Sequence, residues 1–171
     1  AGLGIVAEHG GKLLSRNAAT EAGRQMLALL QQPEAKFSSN VEASEAAAIT
    51  LGKLLVHRTA SMDASIALPE FLAWLPLRHS DEESVGDAVK CLCSLLDADA
   101  AAVMGANGSH FPKVLGTMAS AYQSDGIEAA LSSRMATMVQ QWRAQDQQLL
   151  ESCTAGLTQT SRDKIVRMAT A

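Results

Sequence analysis

Residues 71–89, FLAWLPLRHSDEESVGDAV, mark the point where one helical segment ends and the next begins. Proline cannot donate a backbone hydrogen bond and restricts the residue before it, so Pro76 predicts the end of a helix over residues 65–75. Pro69 is predicted to lie in the first turn of that helix, where proline is tolerated. Ser80 has a glutamate three residues later, which is the spacing of a capping box. The stretch therefore predicts a corner between two helices.

The same stretch holds the three residue types of a hydrolase triad side by side, namely His79, Ser80 and Asp81. Triad members must converge in space with the histidine between the other two, and neighbours on one backbone seldom do so. The chain also lacks a G-x-S-x-G nucleophile elbow. We therefore interpret this triplet as a helix N-terminus, where acidic side chains favour the positive end of the helix dipole.

Similar capping boxes occur at three places along the chain. The pairs are Ser39 with Glu42, Ser80 with Glu83, and Asp125 with Glu128. The first residues of successive pairs are 41 and 45 residues apart. These spacings fall within the ~40–47 residue period of HEAT repeats, which are pairs of antiparallel helices.

We therefore predict an all-α fold, a HEAT-repeat (armadillo-like) superhelix. The chain begins without methionine, and we expect it to be a fragment of a longer protein. It is predicted to form a single HEAT-repeat segment over residues 1–171, and the last unit is expected to include a terminal capping helix. The approximate repeat units are 1–33, 39–77, 80–123 and 125–171.

Composition supports a helical protein without strands. Alanine, the best helix former, accounts for 30 of the 171 residues, and only 4% are aromatic. Further helices are expected over residues 17–32, 112–122, 146–153 and 160–169, from apolar residues at helical spacing and nearby turn residues. The net charge of −4, with scattered lysines and arginines, argues against a nucleic-acid partner. No apolar run approaches the ~18 residues of a membrane span.

Cysteine and histidine positions do not predict a metal site. Cys91 and Cys93 lie two residues apart in a predicted helix and point about 160° apart, so they cannot share one zinc ion. We interpret them as small buried residues. The histidines lack the i, i+4 pairing of a helical metal site; they are His9, His57, His79 and His110.

Three other stretches also favour structural interpretations. GANGSHFPK at residues 105–113 lacks the spacing of a phosphate-binding loop and is predicted to be a turn between helices. DADAAA at residues 97–102 has too few acids for calcium. The stripe of Met135, Met138 and Trp142 favours core packing over a ligand groove. We therefore predict no catalytic, cofactor-binding or metal-binding residues and no enzymatic activity, and the sequence identifies no partner-binding residue.

Four segments resemble, in order, the C-terminal part of the β-karyopherin nuclear import receptors of the importin-5 (importin β-3) type. The most specific is FLAWLPLRHSDEES at residues 71–84, with its Trp-Leu-Pro-Leu core. The others are GLGIVAEHGG at 2–11, NVEASEAAAITLGKLL at 40–55 and VMGANGSHFPKVL at 103–115. The chain departs from the family at Ala106, where proline is usual, and at residues 157–163, where the family tends towards Leu-Ser-Pro-Glu.

The resemblance implies a nuclear import receptor that shuttles between cytoplasm and nucleus. Such a receptor binds protein cargo that carries a nuclear localisation signal and contacts nucleoporins in the pore. It releases the cargo when Ran-GTP binds to it in the nucleus. Family contacts with Ran-GTP lie mainly in an N-terminal half that is absent here. The resemblance implies no cofactor, no membrane and no direct nucleic-acid contact.

Two alternatives remain open from the sequence. One is a HEAT-repeat scaffold of another class, such as a phosphatase scaffold or a vesicle-coat subunit. The other is a small helical-bundle enzyme, which would bring polar groups together in a pocket.

Overall fold

A computed structural model describes Val6, residues 15–57 and residues 62–171 of the chain. All regular structure in these residues is helical, which confirms the prediction of an all-α fold. The chain divides into two compact units, and the boundary between them lies between Leu95 and Leu96. None of the helices in the described ranges is long and apolar enough to cross a membrane.

Unit 1 contains three helices and most of a fourth. They are α1 (Arg16–Leu30), α2 (Val41–His57), α3 (Ala64–Trp74) and α4 (Glu82–Met104), with a short 3₁₀ turn at Pro33–Lys36. The boundary between the units falls within α4. Unit 2 continues with α5 (Phe111–Ala121), α6 (Ala129–Gln145), α7 (Gln147–Thr154) and α8 (Gln159–Thr170).

In unit 1, α2 packs against both α1 and α3. Residues on almost every side of α2 are buried from Ser44 to Leu55, as expected for a helix with neighbours on two faces. Gly52 lets α3 approach closely, because a Cβ at this position would lie 2.7 Å from the ring of Phe71. The aromatic ring therefore occupies the space that any larger residue at position 52 would need.

In unit 2, α7 and α8 both pack against α5 and α6. Three methionines from three different helices are fully buried there: Met118, Met135 and Met168. Methionine is flexible enough to fill irregular gaps between helices. The C-terminal helix therefore contributes directly to the core of this unit.

The predicted helix positions agree with the structure better than the predicted capping residues do. Ser39 does not cap α2, which begins at Val41; the Ser39 hydroxyl instead donates to the side chain of Asn40. Asp125 does not cap α6 either, because that helix begins only at Ala129, after Glu128, whose side chain makes no capping bond. The S-x-x-E and D-x-x-E patterns located both helices, but the helices begin later than these caps would place them, by one residue at α2 and by three residues at α6.

The corner at Pro76 forms as predicted, and one detail of α3 differs. The helix ends at Trp74, before Leu75 and Pro76. Pro69, however, is the sixth residue of the helix and lies beyond its first turn, since α3 begins at Ala64, after an Asp63 cap. Pro69 is exposed, so the carbonyl left without an N–H partner one turn earlier can be hydrated.

The remaining helix predictions agree with the structure to within two residues at each end. The expected ranges 17–32, 112–122, 146–153 and 160–169 correspond to α1, α5, α7 and α8. The segment GLGIVAEHGG at residues 2–11, which carries part of the resemblance, lies outside the described residues, apart from Val6.

Candidate functional site

The corner after α3 is held to α2 by one buried carboxylate, Glu45. This side chain is only 3% exposed. It accepts hydrogen bonds from the backbone N–H groups of Arg78, at 2.8 Å, and His79, at 3.0 Å. The hydroxyl of Ser80 also donates to it, at 2.6 Å. We call these four residues the Glu45 latch.

The local sequence explains why the latch is needed. Leu75 and Leu77 on either side of Pro76 are buried, with 3% and 8% exposure. Anchoring these leucines holds the following backbone close to α2. Backbone N–H groups in such a place require acceptors, and the Glu45 carboxylate supplies both. The latch is therefore a structural joint.

The triad-like residues do not form a catalytic arrangement. Ser80 donates to Glu45 and does not cap the helix. The predicted cap is displaced by one residue to Asp81, whose carboxylate accepts from the N–H of Ser84 at 2.8 Å. Hydrogen bonds from the backbone and hydroxyl of Ser84 lower the pKa of Asp81. The side chain of His79 is exposed, so the three residues have separate roles.

About two turns after Glu45, α2 carries a second buried charge. Lys53 lies 2.7 Å from Asp87 of α4, and the lysine side chain is only 10% exposed. A lysine this deep is expected to have a paired carboxylate. In unit 1, the pair joins two helices through oppositely charged groups.

The cysteines and histidines are the next candidate site residues. Cys91 and Cys93 are buried in α4, Cys153 is half-buried, and none of the three forms a disulfide bond. His110 is half-buried with Nδ1 3.2 Å from the carbonyl of Val103, and His57 is exposed. His9 lies outside the described residues. Among the described residues, no group of three or more His, Cys, Asp or Glu side chains could hold a metal ion.

The two loop-like stretches of unit 2 are a kink and a turn. Asp99 adopts non-helical angles inside α4 and accepts from the N–H of Ala102, so DADAAA marks a kink with its own cap. GANGSHFPK forms the turn before α5, as predicted, with positive φ angles at Gly105, Asn107 and Gly108. A Cβ at Gly105 would lie 2.6 Å from the Ser109 hydroxyl, so glycine is required there.

Unit 2 contains an apolar groove beside this turn. Its volume is about 310 Å³, and its walls include Met104, Phe111, Trp142 and Leu149. Phe111 and Trp142 meet edge to face with ring centroids 5.1 Å apart. The core interpretation of the methionine stripe is right for the buried residues Met135 and Met138, whereas Trp142 is half-buried and lines this groove.

A second depression in unit 2 lies among α6, α7 and α8. It has a volume of about 250 Å³, and we call it the cationic cleft because Arg143 and Arg162 both line it. Leu150 and Ile165 form part of its floor, with 5% and 3% exposure. These arginines are not recognisable as a pair in the sequence, because they belong to two helices and come together only in the folded chain.

A scan against models of known protein families finds no match to this chain. The fold defines a helical protein built of successive packed helices. Its described residues form a buried structural joint, an apolar groove and a cationic cleft.

Proposed function

We propose that this chain is a C-terminal HEAT-repeat segment of an importin-5-like nuclear import receptor, which works by binding proteins and not by catalysis. The observation that supports this most directly is the Trp-Leu-Pro-Leu corner. The segment with the most specific resemblance is also the one in which Trp74, Leu75 and Leu77 are buried and the next backbone is fixed by Glu45. The resemblance therefore falls on residues that shape the fold.

The order of the helices supports a repeat architecture. Helices α2, α4 and α6 begin at Val41, Glu82 and Ala129, which are 41 and 47 residues apart. Both spacings fall in the ~40–47 residue range of HEAT units. In unit 1, the intervening α3 packs against α2, as the second helix of such a unit would.

The proposed mechanism couples two binding events through the helical stack. Cargo with a nuclear localisation signal binds in the cytoplasm, nucleoporins are met during passage, and Ran-GTP releases the cargo in the nucleus. Such coupling is reciprocal, so Ran-GTP weakens cargo binding by the factor by which cargo weakens Ran-GTP binding. Family contacts with Ran-GTP lie in an N-terminal half, so this segment alone is expected to bind Ran-GTP poorly.

A pull-down with the longest natural chain containing these residues, with and without Ran-GTP, tests the proposal. We expect proteins rich in nuclear localisation signals to bind and to be released when Ran-GTP is added. The bound proteins could instead be phosphatase or vesicle-coat subunits that Ran-GTP does not release. That result would support a HEAT scaffold of another class. Submicromolar binding of Ran-GTP to residues 1–171 alone would contradict the assignment of this segment.

Small-angle X-ray scattering tests the repeat architecture separately. A compact chain of 171 residues would have a radius of gyration of ~16 Å. A stack of helix pairs in contact only with their neighbours should exceed this value clearly and give an asymmetric distance distribution. A value near the compact estimate would argue for a helical bundle.

A further inference from the structure

The cationic cleft combines two charged walls with an apolar floor. Arg143 approaches from α6, and Arg162 approaches from the first turn of α8. Between them, Ile165 is buried and Val166 is 61% exposed, the most exposed large apolar side chain described in unit 2. An apolar floor with an exposed valine beside two cations is suited to a ligand that is both apolar and anionic.

The two guanidinium groups are held in place by neutral acceptors. Arg143 donates to the carbonyl of Ala169 at 3.3 Å. Arg162 donates to the carbonyl of Ala155 at 3.2 Å and to the side chain of Gln159 at 2.9 Å. Within the described part of the chain, neither guanidinium pairs with a carboxylate. Neither charge is therefore compensated by a neighbouring described carboxylate, and each guanidinium has N–H donors left for a ligand, since it carries five.

Charge around the cleft is also unbalanced. Of the residues that line it, Glu151 carries the single negative charge, and its carboxylate already accepts from Gln147 at 2.7 Å. The helix that carries Arg162 also holds Lys164, Arg167 and one acid, Asp163, which leaves it two positive charges in excess. The region therefore attracts anionic partners, although the chain as a whole carries a net charge of −4.

The size of the cleft limits the class of ligand. Its volume of about 250 Å³ is below the ~300–1,000 Å³ typical of small-molecule sites. It suits one or two anchoring side chains better than a cofactor. We infer that the cationic cleft docks an acidic amphipathic segment of a protein partner, with a leucine-like side chain on the floor and flanking carboxylates on Arg143 and Arg162.

Protein is favoured over nucleic acid as the occupant. A phosphate backbone would use the arginines but would leave Val166 and the apolar floor uncovered. Carboxylates at helical spacing around an apolar anchor satisfy both features together. The cleft would bind such a segment whether or not the chain is a transport receptor.

Fluorescence anisotropy with the whole 171-residue chain tests this inference. The probe is a labelled peptide of Glu, Ala and Leu with leucines at i, i+3 and i+7, compared with a peptide in which every Glu is Lys. We expect micromolar affinity for the acidic peptide, weakening as salt is raised, and no measurable binding of the basic one. Replacing the leucines with serine should also abolish binding.

Two variants locate the binding at the cleft. Arg143→Gln with Arg162→Gln should weaken the acidic peptide about tenfold or more, because charge-assisted hydrogen bonds are lost. Val166→Asp should do the same by placing a carboxylate beside the apolar floor, and a change at this exposed position does not disturb the core. Circular dichroism confirms that each variant is folded. Arg134→Gln is the matched control, because Arg134 pairs with Asp97 and does not line the cleft.

Three outcomes would overturn the inference. They are equal affinity for the acidic and basic peptides, unchanged affinity in both cleft variants, and tighter binding of a labelled single-stranded DNA than of the acidic peptide. The last result would assign the cleft to a phosphate backbone.

Discussion

The Glu45 latch of unit 1 and the cationic cleft of unit 2 use charged side chains in opposite ways. In the latch, a carboxylate with 3% exposure accepts from three donors of its own chain. In the cleft, two arginines donate to neutral carbonyl and amide oxygens, and their charge is left unbalanced. A buried charge that is fully satisfied holds the fold together, whereas an accessible charge held by neutral groups remains free to bind a partner.

The same contrast holds elsewhere in unit 1. Lys53 is paired with Asp87, and the exposed Arg24 lies 2.7 Å from Glu21. The hydrogen bonds from Arg24 and Gln25 lower the pKa of Glu21 to about 2. Lys53 and Arg24 are thus each paired with a carboxylate, one at a buried and one at an exposed position, unlike Arg143 and Arg162.

The largest expected effect comes from the apolar side of the corner. Trp74→Ala should lower the free energy of unfolding by about 3–5 kcal/mol, because the indole is 8% exposed and its removal leaves a cavity. Urea unfolding measures the change. Ile66→Ala in the same helix is the control, because Ile66 is 52% exposed and should change stability by less than about 1 kcal/mol. Equal effects of the two substitutions would contradict the packing described for α3.

Next, Glu45→Ala should destabilise the protein by about 3 kcal/mol, because it leaves the N–H groups of Arg78 and His79 without their acceptor. Amide hydrogen exchange should accelerate at those two residues. Glu42→Ala, one turn earlier on the exposed side of α2, is the matched substitution and should cost less than about 1 kcal/mol. If both variants unfold at the same urea concentration, the latch does not stabilise the corner.

A smaller loss of stability is expected when the ion pairs of the two units are broken. Asp87→Ala should cost about 1–3 kcal/mol, because it removes the carboxylate beside a lysine side chain that is 10% exposed. Asp97→Ala breaks the pair with Arg134, whose side chain is 36% exposed, and should cost at most about 1 kcal/mol. Thermal unfolding of the two variants gives the comparison. A larger loss for Asp97→Ala would reverse the contrast between buried and exposed pairs.

The smallest effect concerns acid titration of the helix caps. Hydrogen bonds from Ser65 and Ser84 lower the pKa values of Asp63 and Asp81 in the folded chain. A carboxylate with a depressed folded pKa stabilises the fold above its unfolded pKa of ~3.9 and loses this contribution as the pH falls through the folded value. Asp63→Asn with Asp81→Asn keeps cap acceptors that do not titrate.

Between neutral and strongly acidic pH, the melting temperature of the double variant should therefore fall by less than that of the parent chain. Differential scanning calorimetry across this range provides the measurement. If the melting temperatures of the two chains fall by the same amount as the pH is lowered, these caps are not the groups whose titration destabilises the fold.

The sequence predicted the helices well, because apolar spacing and proline are local signals. Pro76 placed the end of α3 to within one residue. The caps were less predictable, because several acceptors compete for the same N–H groups. At residues 80 and 81, both side chains could have capped α4; Ser80 bonds to Glu45, 35 residues away, and leaves the cap to Asp81.

The functional surfaces could not be predicted in the same way. Arg143 and Arg162 come from helices that the sequence located correctly, but their convergence depends on how α6 and α8 pack. Glu45 did leave a detectable signal, as a charged residue inside the broad apolar stripe of α2. An acid at a position expected to be buried indicates that a set of donors will be found opposite it.

The distribution of tryptophan gives the protein two separate optical reporters. The chain contains two tryptophans, and one lies in each compact unit: Trp74 is buried beside the corner, and Trp142 is half-buried in the apolar groove. Trp74→Phe and Trp142→Phe would each leave one indole as the source of the emission. Fluorescence of these two chains can then record the unfolding of each unit in turn and show directly whether they lose structure in one transition or in two.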